Sequence, residues 1–181
     1  MKTITLVALF FVVVVAANGQ NRSVYTGLGE KVCKTLESSD DEGGFYRGEC
    51  KGVGGFKLHV IEGDIRQTID VIYPNGSRSE LNLWTVVSGA FSHVGEKAEW
   101  RVHTVKKKQV PYALIVRFNT DQEDSNSVKY RNIRTSYLVV VKLGKASACV
   151  TDIVLPKTKN QNARARILAD AAASKPCLKQ G

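Results

Sequence analysis

Histidine is scarce in this chain. There are three, at positions 59, 93 and 103, and no H-E-x-x-H or H-x-H spacing joins them. The four cysteines, at 33, 50, 149 and 177, contain no C-x-x-C and cluster with no histidine, so the common zinc signatures are excluded. No G-x-S-x-G elbow occurs; Ser88-Gly89 does not supply one, which removes the usual serine-nucleophile signature. The glycines at 52, 54 and 55 precede a strand rather than a helix, so they lack the helix N-terminus that makes a phosphate loop work. The acidic run Ser38–Gly44 lacks the ligand spacing of a calcium loop. No nucleic-acid-binding motif, no internal repeat and no strand–helix–strand alternation is present. These absences call for no cofactor and no metal.

What is there begins with an apolar run. Lys2 is followed by an almost unbroken apolar stretch from Ile4 to Ala17, and Ala17-Asn18-Gly19 then places small residues at a cleavage position. This predicts a signal peptide over residues 1–19, too short to span a bilayer, with no cysteine at the cut to carry a lipid anchor. Residues 20–181 are read as a single disulfide-tied β-rich domain, with no membrane span after signal removal. The four cysteines then predict two disulfides in an exported protein. Of three possible pairings, Cys33–Cys50 with Cys149–Cys177 is preferred, because each pair brackets a local unit. Each closed loop would stabilise by about 3–3.5 kcal/mol. The whole chain carries a formal charge of +9. Loss of Lys2 leaves 25 bases against 17 acids, or +8. Such a protein is drawn to anionic envelope components, while the same charge also serves solubility.

The stretch Cys33–Phe56 organises the rest: two cysteines bracket an acidic turn, and a glycine-rich bend launches the first long strand. Glu30–Glu37 reads as a short helix with Val32, Cys33 and Leu36 on one face. Period-two alternation marks strands at Phe45–Glu49, Phe56–Val60, Ile69–Tyr73, Leu81–Thr85, Ala98–Val102, Tyr112–Phe118, Tyr130–Leu143 and Ala146–Leu155. Turns fall at Glu62–Asp64, at Pro74–Ser77 with its Asn-Gly dipeptide, and at Lys106–Lys108. Val86–Glu96 reads as irregular, and Asn119–Asn126 as a polar loop. Asn160 or Asn162 caps a helix reaching about Ala173, with Ala163, Ile167, Leu168, Ala171 and Ala172 on its buried face. The fold class is α+β: a mainly antiparallel curved sheet of about seven strands, a sandwich or partly closed barrel, with a C-terminal helix.

Candidate site residues are few. Trp84, Trp100, Arg101 and Arg117 are the residue types that anchor partners and could form an aromatic, cationic sheet face; Tyr112 could join them. Asp64 and Asp70, or Asp121, Glu123 and Asp124, could supply paired carboxylates for a hydrolase of wall or surface polymers. His59 and His103 should face solvent, and His93 lies in a loop. Asn21-Arg-Ser23 and Asn75-Gly-Ser77 are sequons.

Several segments carry a family resemblance: Tyr25-Thr26-x-Leu28, Cys33-Lys-Thr-Leu-Glu37, Gly43-Gly44, Cys50-x-Gly52-x-Gly54-Gly55, Glu62-Gly-Asp-Ile-Arg66, Phe91-Ser-His-Val-Gly95, Glu99-Trp-Arg101, Ala113-Leu-Ile-Val-Arg117, Thr120-Asp121, Leu138-Val-Val-Val-Lys142 and Ala148-Cys149. Over about residues 25–173 the chain resembles small exported proteins of unknown function from Gram-negative bacteria of the rhizobial group. The resemblance implies a periplasmic or secreted home and an antiparallel sheet, and it assigns no catalytic residue. The reading is an exported, disulfide-stabilised envelope protein, more a binder of an unknown protein or anionic component than an enzyme, with no nucleic-acid partner. The alternatives are the hydrolase and an inhibitor of a secreted enzyme.

Overall fold

A computed structural model describes residues 21–41, 43–123 and 132–179; the expected signal peptide lies outside them. The first strands are β1 (Arg22–Gly27), β2 (Lys34–Ser39), β3 (Phe45–Lys51), β4 (Lys57–Gly63), β5 (Arg66–Ile72) and β6 (Arg78–Glu80), followed by a single helical turn, α1 (Leu83–Val86). The long strands β7 (Phe91–Val105), β8 (Lys108–Glu123) and β9 (Asn132–Leu143) come next, then β10 (Ala148–Val154) and helix α2 (Gln161–Asp170). They form one open, curved, mixed sheet of ten strands in the order β10-β9-β8-β7-β5-β4-β3-β2, with β1 added to β7 and β6 to β5.

The sheet has more than the expected seven strands, and it is not purely antiparallel: β5 and β7 meet in parallel at Arg66 and Ser92. The segment expected as a helix, Glu30–Glu37, is instead a tight turn followed by β2. Its backbone bonds to β3 and the Cys33–Cys50 bridge hold it extended, so tertiary pairing overrides helix propensity. The expected strand through Leu83 is the turn α1, while the segment read as irregular supplies the first part of β7 from Phe91. Both preferred disulfides are present, with Cα separations of 4.3 Å for Cys33–Cys50 and 5.6 Å for Cys149–Cys177.

Residues Ala113–Val116 are apolar at both parities, the pattern of a strand covered on both faces. The inner parity, Leu114, Val116 and Phe118, packs with Trp100, Val139 and Val141 against Leu58, Val60, Ile69 and Val71 of the N-terminal meander. The curl of the sheet brings β10 back to β6, where the Ala148 N–H donates to Ser79 Oγ at 3.0 Å. The outer parity, Ala113 and Ile115, joins Leu138 and Val140 beneath α2. The helix seats Ala165, Ala169 and the following Ala172, with Leu168 half-buried; the expected face is rotated, and Ile167 is 61% exposed. Small side chains let the helix lie close to the sheet. Arg166 and Asp170 fix its rotation through ion pairs to Glu99 and Arg101.

Candidate functional site

Strand β7 serves two neighbours along one edge. It touches β5 at Ser92, then takes β1 from Lys97 onward. Between them its register against β8 shifts, from Val94 to Ala98. Gly95 sits at this bulge because a Cβ there would lie 2.8 Å from the Arg117 Cβ on β8. The departure of β7 from β5 opens a fork.

A short loop walls the other side of that fork. After β1 the chain turns at Leu28, whose N–H donates to the Glu96 carbonyl at 2.8 Å. The Val32 and Cys33 N–H groups both donate to the Gly29 carbonyl. Val32 folds back so closely over Gly27 that a Cβ at Gly27 would stand 2.6 Å from a Val32 methyl. Cys33 then bridges to Cys50 on β3, so the loop is tied down at both ends.

The result is an open groove of about 780 Å³ between the loop and strands β3, β4, β5 and β7. Tyr25, Val32, Tyr46, Gln67, His93 and Val94 line its walls, and Glu30, Lys31, Glu96 and Lys97 balance in charge at its rim. Gln67 is held at both ends of its amide: its Oε1 accepts from the Val94 N–H at 2.9 Å, and its Nε2 donates to Glu62 at 2.6 Å. The Tyr46 hydroxyl is shielded from water and has no hydrogen-bond partner among the described residues. His93 Nδ1 lies 3.7 Å from the Asp121 carboxylate. The groove offers aromatic edges, a methyl wall and a few hydrogen-bonding groups, with little net charge.

The four residues expected to form a binding face do not share one. Trp100 is fully buried, donating from Nε1 to Thr26 Oγ1 at 2.8 Å and packing 6.1 Å from the Phe56 ring. Arg101 lies on the opposite face, 6% exposed, gripping Asp170 with two bonds of 2.8 and 2.9 Å and donating to Ser23 Oγ at 2.6 Å. Tyr112 joins that group, donating to Asp170 at 2.6 Å. Arg117 spans from Ser136 to Gln161 and Asn162 at the start of α2. Trp84 is half-buried on α1. Trp100 is thus a core residue, and Arg101, Tyr112 and Arg117 dock the helix.

The carboxylates do not converge either. Asp64 is exposed and paired with Arg66 in the β4–β5 turn. Asp70 is 1% exposed under Arg78 on β6, and Asp121 is held by Arg134 at 2.9 Å. The side chains of Glu123 and Asp124 lie outside the described residues. Asp70 is the perturbed member: burial raises its pKa to about 6 against the pull of Arg78. His59, opposite Asp70 on β4, is mostly buried rather than facing solvent, and burial lowers its pKa although Glu49 opposes this at 3.5 Å. Among the described residues no set of three His, Cys, Asp or Glu side chains is grouped to hold a metal ion.

Sequence reasoning missed Tyr25, Val32, Tyr46 and Gln67, because the groove arises from a bulge and from pairing between distant strands. One signal was present. The quoted segments Tyr25–Leu28, Glu62–Arg66 and Phe91–Gly95 are far apart in sequence, yet they meet at this seam, where the Arg66 guanidinium lies 4.9 Å over the Phe91 ring. Comparison of the chain with protein-family models, with curated proteins and with solved structures finds no match in any of the three.

Proposed function

We propose that this is an exported, disulfide-tied binding protein that receives an uncharged or zwitterionic ligand, a saccharide or peptide segment, in the groove between β1 and β5. The observation that carries this reading is the groove itself. One of its walls, the Leu28–Cys33 loop, is anchored by a disulfide and by backbone bonds, so the site is organised before any ligand arrives, which spares the ordering cost of binding. Export is supported by the apolar run at residues 4–17 and by two disulfides, which persist in oxidising compartments. A periplasmic or secreted home also agrees with the resemblance to exported rhizobial proteins. A hydrolase reading draws no support from Asp64, Asp70 and Asp121, which are each committed to an arginine.

The test is a titration of the oxidised mature protein with wall-derived saccharides and short peptides, followed by amide-proton NMR shifts. Shifts at Tyr25, Val32, Gln67 and His93 that vanish in Val32→Asp would support the groove. A ligand that shifts only residues elsewhere, or that binds Val32→Asp equally well, would overturn it. Val32 is 64% exposed, so this variant tests the surface without emptying the core.

A further inference from the structure

The turns at one end of the sheet gather positive charge. Lys51 closes β3, Lys106 and Lys107 form the β7–β8 hairpin tip with Lys108 beside them, and Lys145 lies in the β9–β10 turn; all are exposed. These turns are neighbours. Gly54 abuts Pro111 and Gln109, Gly55 abuts Pro74, and the Tyr73 hydroxyl reaches the Gly144 carbonyl at 3.1 Å. None of these lysines forms an ion pair among the described residues. The opposite end is different: Asp40, Asp41 and Glu62 stand in or beside its turns with no ion pair among the described residues, while Asp64 and Asp121 there are neutralised by Arg66 and Arg134. The molecule is therefore polarised along its strands, and such a field orients approach to a charged surface.

The lysine tip has two further properties. Lys106 and Lys107 hold φ of 48° and 66°, the paired left-handed geometry of a two-residue hairpin for which Asn-Gly is the relaxed choice. Charge is kept there at a conformational cost. Apolar side chains flank it as well: Val105 is 47% and Val110 38% exposed, and Phe56, Val110 and Pro111 wall a shallow hollow beside Lys107 and Lys108. Lysines around exposed valines on a projecting tip match the headgroup region of a bilayer, where ammonium groups meet phosphate and small apolar groups reach the acyl boundary.

We propose that this basic pole docks the protein peripherally on an anionic phospholipid bilayer, with the β7–β8 hairpin tip as its principal contact. The experiment is co-sedimentation of the oxidised mature protein with vesicles of phosphatidylcholine alone and of phosphatidylcholine with about a third phosphatidylglycerol. Binding is expected only to the anionic vesicles, and it should fall as salt rises toward about 1 M, where the screening length is about 3 Å. Each tip lysine removed should weaken partition about fivefold. The decisive variant is Lys106→Asn with Lys107→Gly, which relaxes the turn backbone while deleting two charges. It should fold at least as stably as the parent and yet lose about twenty-fivefold in vesicle binding. Unchanged partition of that variant, or equal binding to neutral vesicles, overturns the proposal. So does binding to soluble polyphosphate, lost in the same variant, with no binding to anionic vesicles; the partner would then be a polymer. Val32→Asp in the groove should leave partition unchanged, so this outcome and the groove titration succeed or fail separately.

Discussion

Glu99 and Asp70 are both carboxylates withdrawn from water on strands of one sheet, 9% and 1% exposed, and each faces an arginine. Their pKa values move in opposite directions. For Glu99, burial alone would raise the value, but Arg166 donates from Nε at 2.6 Å and from Nη2 at 3.3 Å, and the Ser23 hydroxyl adds a third bond, so the net shift is downward. Asp70 receives one guanidinium bond, at 2.7 Å, from an arginine that is 42% exposed and also engages Glu80. Burial wins there, Glu80 adds like charge, and the pKa rises to about 6. The number of donors, rather than the presence of an opposite charge, decides whether a buried acid is tolerated in its charged form.

The two regions therefore respond to acid in opposite senses. Asp170 behaves like Glu99: burial opposes ionisation, but bonds from Arg101 and Tyr112 outweigh it and hold the pKa low. The stabilisation from these two clasp acids is present above their unfolded values near pH 4 and is lost as pH falls through the folded ones. Asp70 is raised, so its contribution is complete below about pH 4 and is lost as pH climbs toward about 6.

The largest expected effect comes from breaking the satisfied side. Arg101→Met leaves Asp170 with a tyrosine hydroxyl in place of a bidentate guanidinium, and it removes the donor to Ser23 Oγ, whose hydroxyl still reaches Glu99. Arg101 is buried but Asp170 keeps 29% of its side chain in water, so loss of the guanidinium costs about 2 kcal/mol rather than the full penalty of a buried pair. Urea unfolding should show this as a lower midpoint at unchanged slope. A loss below about 1 kcal/mol would mean that the apolar seam of Ala165, Ala169 and Ala172 holds the helix without the clasp.

The unsatisfied side should behave in reverse. A rise of about two pKa units corresponds to roughly 3 kcal/mol of strain in the ionised form. Asp70→Asn forfeits the charged bond to Arg78, so the expected gain at pH 7.5 is smaller, about 1–2 kcal/mol. Stability measured by urea titration across the pH range should also lose its downward slope between about pH 4 and 6. Destabilisation at neutral pH would show that the Arg78 pair outweighs desolvation, and the contrast with Glu99 would collapse.

Alternation was legible along much of the meander, where one face of each strand is dry, but not at the start of β7, where Gly95 and the bulge interrupt it. Phe56–Val60, Ile69–Tyr73 and the Pro74–Ser77 turn stand close to where the pattern placed them, and the local bracketing of cysteines gave both bridges. The candidate binding face failed on a rule the sequence already contained. Trp100 and Arg101 are adjacent in one strand, so they point to opposite sides, one into the core and one toward the helix. The groove was not legible, because β1 pairs with a strand more than 70 residues away and its burial is only partial. The helix face was misread because α2 presents alanines inward and is turned by Arg166 and Asp170, a choice made by partners on β7 rather than by its own apolar pattern.

A third carboxylate has a partner that water reaches. Glu49 accepts from Lys57 at 2.8 Å, and its pKa is lowered chiefly by that bond, but Lys57 is half exposed and water can replace it. Lys57 also stands directly across β3–β4 from Lys51, an opposition of like charges. Lys57→Met deletes a favourable pair and an unfavourable one together. The expected change in stability is within about 0.5 kcal/mol of zero, measured by thermal unfolding at low and high salt. A loss near that of Arg101→Met would mean that donor number matters even where solvent competes, and burial would no longer be the condition that separates Glu99 from an ordinary surface acid.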